Sequence, residues 1–221
     1  MKKKLLMLFA VLIGGTAIGT VSAQTGTKTV TYYTVGTVSS EGEGDGTSSE
    51  TPHKYSTLDG VLTAVESASN DSTVISLPAG TYSNDAGKYS IKKSGVLLQG
   101  VDTNTVVMSS RLQILIEDGN VTVKGIHFSG SPVAGSSLLT VNRKGVNLTL
   151  DACKFTLNTQ NATSSQNVYA IIGAASANAT SSPTNNNVLT LRNTHISLPY
   201  AYQRGIYFYS GTGHTLTLDN S

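Results

Sequence analysis

One short apolar phrase recurs through the last two-thirds of this chain. It reads VLLQG at 96–100, VTVKG at 121–125, LTLDA at 148–152, LTLRN at 189–193 and LTLDN at 216–220. Every copy alternates apolar and polar residues and ends in a small or turn-forming residue: Gly100, Gly125, Ala152, Asn193, Asn220. The copies are spaced by 25, 27, 41 and 27 residues. Alternation with period two is a half-buried strand. A strand returning at such an interval predicts a β-solenoid, in which each repeat is one coil stacked on the next.

Stacking the copies assigns side chains to columns. The inward positions are Val96 and Leu98, Val121 and Val123, Leu148 and Leu150, Leu189 and Leu191, Leu216 and Leu218. Three residues after the phrase, Phe128, Phe155 and Ile196 form a second inward column. A third inward set is expected from Ile114 and Ile116, Leu139 and Val141, Ala170 and Ile172, Ile206 and Phe208. At a coil spacing of about 4.8 Å these become continuous aliphatic stacks, whose burial holds the coils together. The longest interval requires insertions, expected as loops at 158–165 and 174–187, both rich in Asn, Ser, Thr and Ala.

The outward columns carry the chemistry. The position before the phrase's last residue reads Gln99, Lys124, Asp151, Arg192, Asp219, and its sign alternates from Lys124 onward. Alternating charges attract at coil spacing, so this reads as a surface charge ladder. Two residues past the phrase stand Asp102, His127, Lys154 and His195. Lys154 separates the two histidines, which argues against shared metal ligation. Thr122, Thr149, Thr190 and Thr217 form a column beside the charged one. That neighbour excludes a flat, ice-binding face and leaves β-propensity and Thr–Thr contact as the reason for the threonines.

Residues 1–23 read as a signal peptide: Lys2, Lys3 and Lys4, an apolar run from Leu5 to Ile13, and Val21-Ser22-Ala23 before the cut. The expected location is therefore secreted or cell-surface. No later stretch is apolar enough to span a membrane. Cys153 is the sole cysteine, so no internal disulfide is expected. A net charge of +2, with 13% charged residues, favours neither nucleic acid nor a membrane surface as partner.

Residues 24–52 are expected to hold a strand within 27–38 and then a flexible Gly-, Ser- and acid-rich linker from Ser39 to Pro52. Glu41, Glu43 and Asp45 alternate with glycines there. EF-hand spacing is absent, and a solvated linker is the reading. Ser56 or Thr57 is placed to N-cap a helix with Leu58, Val61, Leu62 and Val65 on one face, ending near Asn70. TVISLPAGTY at 73–82 then reads as a strand broken by Pro78 and Gly80.

This order of amphipathic helix, LPAGTY strand and SGVLLQG resembles the start of proteins of the pectate-lyase-like superfamily. The resemblance covers residues 55–221. It implies an all-β, right-handed parallel β-helix (a solenoid) with an N-terminal capping α-helix, occupying 53–221. The family's lyases hold Ca²⁺ in an acidic cluster beside an Arg or Lys base, and its hydrolases pair aspartates near a His. Neither set recurs on adjacent coils here. No catalytic residue, metal ligand or cofactor is therefore assigned.

The densest aromatic stretch is YAYQRGIYFY at 200–209. Tyr200, Tyr202, Arg204, Tyr207 and Tyr209 are the expected ligand-binding residues, because exposed tyrosines stack on sugar faces and Arg supplies fixed donors. The functional expectation is an adhesin-type binding module whose partner is a glycan or another surface. The alternative is a polysaccharide lyase or glycoside hydrolase of the same fold. Because the phrase recurs up to Asn220, further coils or a covering partner are expected beyond Ser221.

Overall fold

A computed structural model describes residues 29–160, 162–163, 167–175, 186–209 and 211–221. The expected signal peptide, with most of the 174–187 loop and part of the 158–165 loop, lies outside them. Two short strands, β1 (Val30–Val35) and β2 (His53–Tyr55), precede helix α1 (Leu58–Ser67). The chain then passes through β3 (Ser72–Leu77), β4 (Gly80–Tyr82) and β5 (Lys88–Ile91). The same triplet returns as β6 (Val96–Gly100), β7 (Val106–Met108) and β8 (Arg111–Ile114), then as β9 (Asn120–Lys124), β10 (His127–Gly130) and β11 (Ser137–Val141). It returns again as β12 (Asn147–Asp151), β13 (Lys154–Leu157) and β14 (Val168–Ala174), and as β15 (Val188–Arg192), β16 (His195–Ser197) and β17 (Gln203–Phe208). A final strand, β18 (Thr215–Asp219), opens the next triplet.

Each strand of a triplet enters its own parallel sheet. The first sheet runs β18-β15-β12-β9-β6-β3-β1-β2, the second β16-β13-β10-β7-β4, and the third β17-β14-β11-β8-β5. From β3 to β15 every strand pairs with the strand three places later, so the chain visits the three sheets in turn and advances one ladder step per circuit. The five copies of the repeated phrase are β6, β9, β12, β15 and β18. Leu148 lies beside Val121 and Leu189, as the stacked columns require.

The inward positions of the first sheet are buried from Val96 to Leu191, and they share one core with Phe128 and Phe155 of the second sheet. Leu216 and Leu218, on the last strand, are 42% and 57% exposed. In the third sheet the expected register is off. Leu112, not Ile114, lies beside Leu139, and Ile171, not Ala170, continues that column to Ile206. Ile114 lies beside Val141. Both β11 and β14 bury residues of both parities, which hides the period-two signal, and β14 also shifts register against β17 between Ile172 and Ala174. The insertions fall at the corners on either side of β14, and Ala174 is that strand's last residue rather than part of a loop.

The corner between the first and second sheets explains how each phrase ends. Gly125, Ala152 and Asn193 have φ of 63°, 48° and 49°. A left-handed residue reverses the chain within two positions, and Gly and Asn adopt it most readily. The corner after Gly100 is longer, from 101 to 105. Asp102 therefore lies in that turn, where its carbonyl accepts from Val106 N at 2.9 Å. It is not in the column of His127, whose partner on this side is Val107.

The α1 helix closes one end of the stack. Thr57 is its N-cap, with Oγ1 accepting from Gly60 N at 3.1 Å. Leu58, Val61, Leu62 and Val65 are buried in the common core, against β1, β2 and β5. The helix stops at Ser67, before Asn70, because Ala68 is already extended with ψ of 142°. Lys93 Nζ donates to the Ala68 carbonyl and to Asn70 Oδ1.

The strand β1 belongs to the same sheet as the repeats, paired with β3 on one side and β2 on the other. The segment 39–52 between β1 and β2 is a hydrogen-bonded loop instead of a free linker. Asp45 Oδ1 accepts from Thr51 Oγ1 at 2.6 Å and from Thr47 N and Oγ1 at 2.9 and 2.8 Å. These bonds, Thr51's foremost, hold the Asp45 carboxyl down at about 2. Glu41 accepts from Ser56, Glu43 accepts from Ser39 N, and Glu43 bridges Lys54 in antiparallel fashion. The three carboxylates thus have separate partners and do not converge on one point. Composition suggested disorder because Gly, Ser and acids are equally the residues of tight Asx-type turns.

Candidate functional site

The charge column is in register. Gln99, Lys124, Asp151, Arg192 and Asp219 are successive ladder partners on the first sheet. Lys124 Nζ lies 3.8 Å from Asp151 Oδ2, with both groups partly in solvent. Such a pair contributes at most about 1 kcal/mol. Thr122, Thr149, Thr190 and Thr217 stack in the adjacent outward column. This face is regular, and opposite charges alternate along it.

On the second sheet His127, Lys154 and His195 are neighbours in that order. The ring Nε2 of His127 lies 2.9 Å from Thr156 Oγ1. Burial, and then the Lys154 ammonium, push the His127 pKa below its ordinary value. The imidazole therefore stays neutral at neutral pH. Among the described residues no three His, Cys, Asp or Glu side chains come together as a metal site. Cys153 is buried with Sγ 3.5 Å from the carbonyls of Val123 and Asp151, and burial pushes its thiol up to about 11. Such a thiol is a packing residue, not a nucleophile.

The tyrosine stretch is divided by the fold. Ile206 and Phe208 pack against the core. The Tyr207 ring stacks on Tyr169, centroids 4.8 Å apart and planes 18° from parallel. Tyr209 meets the Tyr207 ring edge-on at 5.9 Å and is 60% exposed. Arg204 is exposed and lies beside Tyr169 in the ladder of β14 and β17. Tyr200 and Tyr202 are exposed in the preceding turn, where Tyr202 has a φ of 59°. Gln203 fixes that turn: its Oε1 accepts from Tyr200 N, and its Nε2 donates to the carbonyls of Leu157 and Thr159, each at 3.1 Å. Among the described residues no ring contact joins Tyr200 or Tyr202 to the other tyrosines.

The structure thus brings Tyr207 and Tyr209 together, sets Arg204 on the same strand, and holds Tyr200 and Tyr202 one turn away. Sequence reasoning missed Tyr169. Its signal was position: Ile171 and Ile206 share a column, which sets Tyr169 beside Arg204 on the equivalent strand of the preceding coil. The expected inward column at Ala170 and Ile172 drew attention away from it.

Compared with protein-family models, with curated proteins and with solved structures, the chain matches none. The site has to be read from its own geometry.

Proposed function

We propose that this chain is an exported right-handed parallel β-helix, similar to the pectate-lyase-like proteins, that acts as an adhesin-type module binding carbohydrate at a cell surface or outside the cell. The observation that carries this reading is the contiguous array of Tyr169, Tyr207 and Tyr209 beside the exposed Arg204. Rigid aromatic rings bind at low cost in conformational entropy, and their faces suit the apolar faces of sugars. The parallel coils supply a stiff support that holds such rings in fixed register. The lysine-led apolar leader at 1–23 supports export.

A glycan array with the mature chain tests the reading. Tyr207→Ala and Tyr209→Ala are each expected to cost about 2 kcal/mol, roughly thirtyfold in affinity, as truncation of an interface anchor does. Tyr207→Phe keeps the ring and is expected to bind nearly as well. Glycan binding unchanged in both alanine variants removes this site. A lyase assay by absorbance of unsaturated product, with and without Ca²⁺, is run beside it. Product whose formation depends on residues outside 200–209 overturns the binding-only function.

A further inference from the structure

A cleft of about 370 Å³ opens at the corner between the second and third sheets, where three successive coils turn. Its walls are the turns leading into β5, β8 and β11. That volume falls in the range of small-ligand sites, roughly 300–1,000 Å³. Arg111, the first residue of β8, reaches into it half-buried. Its Nη1 donates to Ser136 Oγ at 2.8 Å. That single bond leaves most of the guanidinium fork unused among the described residues.

The cleft is rich in donors and poor in negative charge. The hydroxyls of Ser109, Ser131 and Ser136 line it, and no carboxylate does. Ser109 donates to the Tyr82 carbonyl at 3.3 Å, and Ser131 has no partner among the described residues. Pro132 and Val133 add an apolar wall, and Val133 is 76% exposed. Three basic groups elsewhere have a carboxylate partner. Arg143 faces Glu117 at 3.9 Å, Lys92 faces Glu66 at 2.9 Å, and Lys124 faces Asp151. Arg111 has no such partner, although it is held by a serine in a concave site. A fixed guanidinium surrounded by hydroxyls matches an oxyanion with several acceptor oxygens, for which a planar Arg fork is the preferred partner.

We infer that the Arg111 cleft binds a sulfate or phosphate group carried on a small hydroxylated molecule, with Pro132 and Val133 against its carbon face. The cleft lies at the turns before β5, β8 and β11, whereas Tyr169 and Tyr207 lie on β14 and β17, and the two sites share no residue.

The test is titration of the ¹⁵N-labelled chain with glucose 6-sulfate, glucose 6-phosphate and glucose, followed by NMR. The expected result is saturable shifts at the Arg111 Nε–H and at the backbone amides of residues 131 and 133–138 with the sulfate, the phosphate ester or both. The arm that saturates at lower concentration names the oxyanion. Glucose leaves these signals in place. Arg111→Gln removes the charge, and is expected to weaken binding about tenfold or more. Arg111→Lys recovers part of it. Tyr209→Ala leaves it unchanged, so failure here and failure of the carbohydrate reading are told apart. Equal shifts with glucose, shifts retained in a folded Arg111→Gln chain, or no shift with either ester overturn the inference.

Discussion

Phe128 and Phe155 lie face to face in the core, one coil above the other, with ring centroids 4.7 Å apart and planes 9° from parallel. Both are fully buried, and Met108 and Ile196 extend the column on either side. Phe155→Ala removes the middle of this stack. It is expected to cost about 3–5 kcal/mol, read as a lower urea midpoint at unchanged slope. Phe155→Leu, which retains much of the volume, is expected to cost clearly less. A loss below about 1 kcal/mol for the alanine variant would show that the column collapses freely.

Ala152 occupies a left-handed corner with φ of 48°, where the adjacent coils place Gly125 and Asn193. A Cβ in this region is strained by about 1–2 kcal/mol. Ala152→Gly is expected to raise stability by a little under that, since glycine also gains freedom in the unfolded chain. Thermal unfolding checks the sign: a lower melting temperature contradicts the strain argument.

Asn187 is 1% exposed and joins three segments. Its Oδ1 accepts from Val146 N at 3.0 Å, and its Nδ2 donates to the carbonyls of Arg143 and Gly173 at 2.9 and 3.0 Å. Asn187→Ala leaves the buried Val146 N–H and Gly173 carbonyl without this partner. The expected cost is at least about 3 kcal/mol. Faster hydrogen exchange at the Val146 amide is the local signature. Asn187→Asp is expected to fail as well, because a carboxylate cannot donate to the two carbonyls.

The pH dependence follows from His127. Its value in the fold lies below the ordinary 6.5, chiefly through burial and secondly through Lys154. Below pH 6.5 the unfolded chain therefore takes up a proton that the folded chain resists. Stability is complete above that pH and declines as pH falls toward the folded value. His127→Gln is expected to flatten the melting temperature between pH 6.5 and 5, and Lys154→Gln to narrow the drop. An unchanged slope in both variants would assign the drop to another group.

Regular parts of the fold were legible because strand period, corner residue and coil length agree with one another. The phrase from Val96 to Asn220 gave β6, β9, β12, β15 and β18 of the first sheet in register, charge ladder included. The third sheet was misaligned at Ile114 and Ala170, because β11 and β14 bury both parities and give no period-two signal to set the register. Composition cannot separate a hydrogen-bonded turn from a loose linker, so the Asp45 network was not seen. Asn187 looked like the end of a polar loop, since nothing local marks an asparagine as buried. Tyr169 became part of the site only through a neighbour 38 residues later in the chain, Tyr207.

The short strand β2 forms the outer margin of the first sheet among the described residues. It offers a three-residue ladder, and the middle residue is already engaged: Lys54 N donates to the Glu43 carbonyl at 2.7 Å, and Gly42 N donates to the Lys54 carbonyl at 2.8 Å. A second molecule approaching that margin meets a folded loop in place of open backbone. This end of the molecule is therefore shielded from templated, amyloid-like growth, although it terminates a long parallel sheet.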